Sequence, residues 1–576
     1  MTCGPAFRTG RDRHSVHPTG AEHHEAPSLL FTKRRRVTCR RRIPRHLGGA
    51  TKQPGQSNDN NNQNTEEEMR QISSLIIQDR FQEALERIRS YGAQNPRDAS
   101  LQLNKLGFLV DIGFGLADQD LVRQALDVGE HNLEDPRYAA HDSHIHYDLA
   151  NGYVCLYELT ERRLGTTGIP QSVNLQNAKL HFRDALRLCD ESGISFKKRV
   201  FVNYGNCLDI LGRGVEALDA YDAAIAIDGH FSMAIGNKAK ALRFFADISG
   251  KYRGAIYIEA YQAMKSIIDN QDLIAIGGLS ARKSFEDEMQ KIASVFTDKR
   301  DLARTLVHSK YSTTDLPAFE GYYLAFCAKE KLFLNFHLHD TQCESAISDP
   351  IFISLITPIE DDDTFYRLAK SINQIKEDYA VARLLLVQSQ FKREDFDSIS
   401  RRTTFVNTLD YSQFNLYSGL LKSAFKEAYN ILDKIAVFIN DYYNLGLRTD
   451  RIYFTTIWQL DGRIRDRILE SKNISLYALY DIYQDFKSGY YEPLQAIRNA
   501  STHRKLVIYD SMPTDSDKKN DKENIGYSTM LGETVNLMRL AKSAVIYLID
   551  FVSIEENRKR GSGLIPTIVM DTSQFL

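Results

Sequence analysis

The chain has 576 residues, of which 43% are apolar, 26% charged and 10% aromatic, an ordinary composition for a globular protein that excludes collagen-like and generally disordered classes. No stretch approaches the roughly 18 unbroken apolar residues of a membrane span, so we expect no membrane partner. The formal net charge of −2 is uneven: residues 1–55 hold twelve basic and three acidic side chains, a net of +9, which leaves −11 for the remainder.

Residues 1–66 are predicted to form a disordered basic and polar segment. They combine Lys33–Arg36 and Arg40–Arg42 with a polar run over 57–65, and such a sequence cannot bury enough apolar surface to offset its ordering entropy. Two interpretations remain open. In the first, the segment has no function of its own and is a solvated tail or an over-extended start upstream of an initiator at Met69. In the second, it is a basic nucleic-acid arm or a targeting peptide.

Residues 67–325 are predicted to form a helical array, because apolar residues recur there at three- and four-residue spacing. One segment has the spacings of a 34-residue helix-turn-helix repeat: Tyr204, Gly205, Leu208, Gly212, Ala217, Tyr221, Ala224, Asp228 and Gly229. We expect Gly205 and Ala217 to let the two helices approach closely, and Gly212 to lie in the turn between them. Partial copies involve Ala84, Ile88 and Pro96, then Ala178, Phe182 and Ala185, and a stretch over 231–264.

These residues resemble the tetratricopeptide (TPR) repeat family. The resemblance implies a curved solenoid whose concave face binds a peptide or protein partner. The alternative is an irregular helical array that only supports the next domain.

Three histidines, His141, His144 and His146, raise the question of a metal site. Apart from Asp142 and Asp148, no Cys or acidic ligand stands nearby at the usual spacing. We therefore expect surface histidines at the start of a helix and no metal ligand.

Residues 326–560 are predicted to form a second helical domain, followed by a tail over 561–576. Helices are expected over 411–443, 476–488, 491–504 and 534–552, the first with a long apolar face. The polar stretch 510–524 is expected to be a mobile loop.

The helix over 491–504 carries the residues with the clearest chemical potential. Arg498 and His503 are five residues apart, about 140° around a helix at roughly 100° per residue, so both can border one cleft while Leu494, Ile497 and Ala500 face inward. An Arg-x4-His pair alone is a weak signal. His503 could instead cap the helix C-terminus, and Arg498 could pair with Glu492 or with a neighbouring helix.

The motif Arg498-Asn499…His503 in an all-helical context resembles the HEPN family (higher eukaryotes and prokaryotes nucleotide-binding), in its TPR-associated branch. The Lys422…Asp433-Lys434 helix and the final helix that begins near Gly532 add to that resemblance. The chain departs from the branch at Thr502, where a carboxylate is expected before the histidine, and this puts the pKa of the imidazole in question.

The resemblance implies a metal-independent endoribonuclease without a cofactor, with Arg498, Asn499 and His503 as catalytic residues in a homodimeric site. Its substrate would be RNA, tRNA included, and its context phage defence or toxin-like growth arrest. The alternative hypothesis is a non-catalytic interaction scaffold or nucleotide-binding module. No ATPase, dehydrogenase, zinc-protease or serine-hydrolase motif occurs, and seven scattered cysteines without a C-x-x-C pair favour the cytosol.

Overall fold

The structure is a computed structural model that describes residues 59–560, except for residues 97, 190–192, 247, 249–252, 305–311, 313–314, 336–343, 354, 356–361, 407, 460–461 and 511–522. Most of the segment predicted to be disordered, and the predicted tail over 561–576, lie outside the described residues. The described chain consists almost entirely of α-helices and has one small sheet, which confirms the all-α prediction. None of its helices is both long and apolar enough to cross a membrane.

The first part of the chain is a succession of helices that pack on their neighbours in sequence. They are α1 Asp59–Ile77, α2 Phe81–Gln94, α3 Ala99–Leu116, α4 Gln119–Glu134, α5 Asp142–Thr160, α6 Val173–Leu188, α7 Ile194–Ile210, α8 Gly214–Ile227, α9 Ser232–Ala246, α10 Arg253–Ile267 and α11 Gly278–Val295. Helix α3 packs on α4, α5 on α6, α7 on α8 and α9 on α10. A 3-10 segment over Arg162–Gln171 joins α5 to α6.

The pair α7–α8 has the close approach that the repeat pattern predicted. A Cβ added at Gly205 would lie 2.5 Å from the ring of Tyr221, so only glycine fits between the two helices. Gly212 lies in the turn with φ of +83°, a left-handed conformation that glycine adopts without strain. The predicted roles of both glycines are confirmed.

Helix α1 begins at Asp59, inside the segment predicted to be disordered. The reason is tertiary: the Thr65 hydroxyl lies 2.8 Å from the Tyr91 hydroxyl and donates to a carboxylate oxygen of Asp98 at 2.7 Å. Thr65 is buried, and Met69 packs one turn further along in the same apolar cluster. The organised chain therefore starts before the predicted boundary at residue 66.

The second part of the chain contains longer helices. They are α12 Ala318–Lys329, α13 Asp362–Gln390, α14 Glu394–Ser400, α15 Leu416–Tyr442, α16 Gly462–Glu470, α17 Ile474–Lys487, α18 Glu492–His503 and α19 Tyr527–Arg560. Helix α13 packs along α15, and α19 packs against α13, α15, α17 and α18. The site helix α18 is therefore supported by α15 on one side and α19 on another.

Two of the predicted helices have different ends in the structure. The helix expected over 411–443 begins at Leu416, because the Asn415 side chain caps it by accepting from the Ser418 backbone N–H at 2.9 Å. The helix expected over 534–552 extends to Tyr527–Arg560. Its polar ends are held by tertiary contacts, since Tyr527 accepts from Gln390 at 3.0 Å and Glu556 accepts from Tyr442 at 2.6 Å.

A three-stranded sheet, which the sequence did not predict, packs against α19. Strand β1 (Ser412–Gln413) pairs antiparallel with β2 (Val507–Tyr509), and β2 pairs parallel with β3 (Asn524–Gly526). Strand β2 follows α18 and β3 leads into α19. Most of the predicted loop, residues 511–522, lies between β2 and β3 and outside the described residues.

The boundary predicted between residues 325 and 326 falls inside α12. This helix packs on α13, where Phe319 lies 5.4 Å from Phe391 between ring centroids and Arg383 donates to the Tyr323 hydroxyl at 2.7 Å. These contacts associate α12 with the second part of the chain.

A buried ionic cluster joins the two parts of the chain. Lys179 donates to both carboxylate oxygens of Asp481 at 2.8 Å, Arg183 forms a two-point pair with Asp485 at 2.9 and 2.8 Å, and Arg213 reaches both carboxylates at 3.0 Å. Asp481 and Asp485 are one turn apart on α17, the helix that leads into α18. The helical array therefore anchors the base of the site helix.

Candidate functional site

Helix α18 presents one apolar face and one open face. Pro493 stands in its first turn, where the missing N–H has no intrahelical partner to lose. Leu494, Ile497 and Ala500 are buried, and the three- and four-residue spacing of an amphipathic helix places them on one side. The remaining faces of α18 are left for Arg498, Asn499 and His503.

Arg498 is half-buried against α15, with 27% of its side chain exposed. Its guanidinium lies 3.5 Å from a carboxylate oxygen of Asp433 and stands 5.0 Å from the ring centroid of Tyr429. The ring of Tyr453, on the segment after α15, is 6.0 Å away. Two aromatic faces and one carboxylate thus position the guanidinium. Among the described residues this 3.5 Å contact is its one ion pair, which leaves most of its five donors for another anion.

Asp433 is held in an environment that disfavours its charge. Burial raises its pKa, while a backbone hydrogen bond from Phe454 at 2.8 Å and the charge of Arg498 act in the opposite direction. Burial also raises the pKa of Tyr429 to about 12. The surface that Asp433 and Tyr429 form beside Arg498 is therefore weakly solvated, and the guanidinium carries the dominant charge there.

His503, Asn499 and Thr502 are all exposed. His503 is the last residue of α18, and the chain turns into an extended conformation at Arg504. Within the described part of the chain, no hydrogen bond or ion pair joins His503 to Arg498. The structure thus places an accessible imidazole and a half-buried guanidinium on one short helix, without direct contact between them.

Two lysines on α15, Lys422 and Lys426, add positive charge beside α18. The sequence analysis named Lys422 only as part of a motif-bearing helix and gave neither lysine a role in the site. Lys422 donates to the backbone carbonyl of Leu506 at 3.3 Å, just beyond the end of α18. Burial lowers its pKa, and the nearby charge of Lys426 lowers it further. Lys422, Lys426, Tyr429 and Asp433 recur at four, three and four residues, which places them on one face of a helix. That spacing was the signal available in the sequence.

The contacts also fix how the two helices run. Lys422 meets the chain at Leu506, whereas Asp433 meets it at Arg498, so α15 and α18 are antiparallel. Lys426 lies between these two contacts along α15, at the level of the C-terminal turn of α18. An anion beside His503 would therefore face positive charge from both helices.

Lys434, a residue of the motif-bearing segment, points elsewhere. It forms an internal ion pair with Asp378 of α13. Arg498 likewise has a carboxylate partner on a neighbouring helix, so the structural alternative for that residue is also present.

The three histidines near α5 are not all on the surface. His141 is exposed, but the ring of His144 stacks on Phe196 with centroids 3.9 Å apart, and Nδ1 of His146 lies 2.8 Å from Nδ1 of His181. The expectation of surface histidines was wrong for His144 and His146, because α6 and α7 cover that side of α5. Among the described residues, no group of three or more His, Cys, Asp or Glu side chains is arranged to hold a metal ion.

One family model matches a segment in the second part of the chain. Residues 359–555 match the family model of the LA2681-like HEPN domain. The matched residues include α13 to α18 and most of α19, and they contain Arg498, Asn499 and His503. No curated protein matches the chain. The predicted HEPN domain is thereby supported over these residues.

Proposed function

We propose that this chain is a metal-independent endoribonuclease of the HEPN type. The observation that carries the proposal is that α18 bears both the exposed imidazole of His503 and the half-buried guanidinium of Arg498, inside the segment that matches the HEPN family model. The sequence pattern, the family match and the accessibility of the imidazole all favour it.

The chemistry needs only groups that RNA and this site supply. The ribose 2′-OH is the nucleophile, and an imidazole can take its proton or deliver one to the leaving 5′-oxygen. The guanidinium of Arg498 would bind phosphate oxygens as negative charge develops. Asn499, exposed on the same helix, would orient the phosphate or Arg498. Cleavage would leave a 2′,3′-cyclic phosphate.

One chain offers one such imidazole, whereas the reaction uses both a base and an acid. A homodimer joined through the HEPN domain would supply two, one from each copy. Thr502 is uncharged where the family branch has a carboxylate, so the imidazole would act without an adjacent acidic partner on its own helix.

The helical array over 67–325 would regulate this site as a TPR-like module with a peptide or protein partner. The buried ionic cluster between α6, the start of α8 and α17 is the physical route, because a change in the array would move the helix that precedes α18. The context we propose is phage defence or toxin-like growth arrest.

A non-catalytic scaffold or nucleotide-binding module is the second candidate. The contact between Arg498 and Asp433 favours it, since an arginine used only for structure is expected to have such a partner. The two candidates differ in what the loss of His503 does.

The deciding experiment incubates the purified full-length protein with total RNA and with tRNA in EDTA. Wild type should produce fragments with 2′,3′-cyclic phosphate ends. His503→Ala and Arg498→Ala should each lower the rate by at least about 100-fold, as expected for loss of a general acid–base or an oxyanion-stabilising group.

His131→Ala is the matched control, because His131 is also an exposed histidine in the last turn of a helix, α4. It should cleave like wild type. Intact RNA at every concentration of wild type, or cleavage by His503→Ala at the wild-type rate, would contradict the endoribonuclease hypothesis and favour the non-catalytic scaffold or nucleotide-binding module.

A further inference from the structure

An unusual concentration of exposed apolar side chains lies between α14 and α15. Seven large apolar residues are exposed within residues 399–416, and we call them the apolar ledge: Ile399, Phe405, Val406, Leu409, Tyr411, Phe414 and Leu416. Val406, Leu409 and Tyr411 are 84%, 86% and 78% exposed. Single exposed apolar residues are common on protein surfaces. Seven of them within one short segment are unusual.

The ledge is held in place rather than loose. Asp410 accepts from the Ser412 backbone N–H at 3.1 Å and from the Tyr509 hydroxyl at 3.3 Å, and its hydrogen bonds with Thr408 and Ser412 lower its pKa to about 2. The backbone N–H of Asp510 donates to the carbonyl of Tyr411 at 3.2 Å. The ledge is thus tied to the chain just after strand β2.

The backbone on either side of Asp410 is strained. Leu409 and Tyr411 have φ of +58° and +63°, a left-handed conformation that bulky side chains rarely adopt. Such residues cost on the order of 1–3 kcal/mol each. The fold therefore maintains a strained turn that exposes two large apolar side chains to solvent. A surface loop without a binding role would gain nothing that offsets this cost.

The exposed area of the ledge is of the order that one partner contributes to a complex. The seven exposed fractions together amount to about four whole side chains, which is on the order of several hundred Å², since a large aromatic side chain alone has roughly 150–250 Å². The rings of Phe405 and Phe414 are neighbours, with centroids 6.2 Å apart. A standard interface buries about 800 Å² of each partner, so the ledge can supply a substantial part of one.

We propose that the apolar ledge is the surface by which two copies of this chain associate. Its surroundings carry charge of both signs: Glu394 and Asp395 at the start of α14, and Arg401 and Arg402 just after its end, all exposed. A surface with both signs is complementary to itself across a two-fold axis. RNA would require a basic surface, and the acidic residues disfavour an anionic lipid surface.

The ledge is also continuous with the candidate site. It ends at Leu416, the first residue of α15, and the same helix carries Lys422, Tyr429 and Asp433 against α18. The inference rests on the proposed function in one respect, since a composite site with two imidazoles is incomplete without a second copy.

The test measures the mass of the full-length protein in solution by sedimentation or light scattering, without RNA. Wild type should be a dimer. Leu409→Asn should weaken dimerisation at least ~30-fold, as for loss of an interface hot spot. Its thermal stability as a monomer should not fall, because asparagine tolerates the left-handed conformation better than leucine.

Val406→Glu is a second variant, and Leu279→Glu its matched control, because Leu279 is 71% exposed on α11, outside the ledge. Val406→Glu should dissociate the dimer and Leu279→Glu should not. A monomeric wild type at all concentrations, an unchanged dimer in both ledge variants, or equal dissociation by the control would overturn the proposal. So would a monomer that binds vesicles of phosphatidylcholine and phosphatidylserine through these residues.

The mass measurement separates this inference from the proposed function. If the ledge variants dissociate the dimer but His503→Ala cleaves RNA like wild type, the ledge stands and the catalytic role of the histidine fails. If His503→Ala abolishes cleavage while the ledge variants stay dimeric, the reverse holds.

Discussion

His146 on α5 and His181 on α6 face each other with their Nδ1 atoms 2.8 Å apart. Such a contact requires one ring to donate and the other to accept, so at least one imidazole is neutral. Burial, together with the charge of His146, lowers the pKa of His181 to about 4; burial likewise lowers the pKa of His146. The contact between the two rings is therefore expected to persist only while at least one imidazole is neutral.

This pair predicts acid sensitivity. Because the pKa of His181 is about 4 in the folded state against 6.5 for a free histidine, the unfolded state binds more protons between these values. The free energy of unfolding should fall as the pH decreases from 7 to 5, by about 2 kcal/mol from this residue. Urea unfolding of wild type and His181→Gln at both pH values tests it. An equal loss in the two proteins would contradict the prediction.

At the scale of elements, α15 and α18 meet through a residue that does not stabilise the fold by its charge. The raised pKa of Asp433 means that its ionised form is disfavoured in the folded state, so any stability it adds is present at low pH and lost as the pH rises. The contact of Asp433 with Arg498 is therefore expected to add little stability at neutral pH.

Asp433→Asn is therefore predicted to separate stability from function. The amide oxygen can still accept from the Phe454 N–H, so the free energy of unfolding at pH 7 should change by less than about 1 kcal/mol or rise. RNA cleavage should fall, because Arg498 loses its charged partner. The check is urea unfolding beside the cleavage assay. A large loss of stability with unchanged cleavage would assign Asp433 a purely structural role.

The pair α7–α8 gives a second prediction at this scale. Gly205→Ala should destabilise the protein by about 1–3 kcal/mol, because the new methyl group would overlap the ring of Tyr221. Gly532→Ala is the control, since Gly532 lies in the second turn of α19 and a Cβ there would meet nothing within 4 Å. That variant should be stabilised by up to about 1 kcal/mol. Chemical denaturation of both proteins measures the difference in sign.

At the scale of the whole molecule, the array and the HEPN domain are not separable modules. One apolar cluster extends from Tyr147 of α5 to Val552 of α19, and the ionic cluster of Lys179, Arg183 and Arg213 with Asp481 and Asp485 lies across the junction. Buried charges of this kind contribute little net stability as a set, but removing one leaves its partners uncompensated.

Arg213→Met is predicted to destabilise the protein by about 3–5 kcal/mol, because Asp481 and Asp485 lose a buried partner. Arg123→Met, which removes an exposed pair with Asp120, should change the free energy of unfolding by less than about 1 kcal/mol. Thermal unfolding of both variants tests this. Similar small effects would mean that the two parts of the chain are held together by the apolar core alone.

The sequence by itself determined the helical class, the repeat-like pair around Gly205 and Gly212, and the helix with Arg498 and His503, because these depend on spacing within one or two helices. It did not reveal α1 before residue 66, the small sheet or the cover over His144 and His146. Each of those depends on residues far apart in the chain, such as Thr65 with Tyr91, or Ser412 with Tyr509.

Tertiary structure alone decided the surroundings of the site. The sequence named Arg498, Asn499 and His503, but the packing of α15 on α18 brought Asp433, Tyr429 and Lys422 close to that helix. The pairing of β1 with β2 ties the segment of the apolar ledge to the chain that follows α18. Local spacing fixes which side chains share a helix face. Which face meets which is settled by the burial of the whole core, and a pattern within one helix does not contain that information.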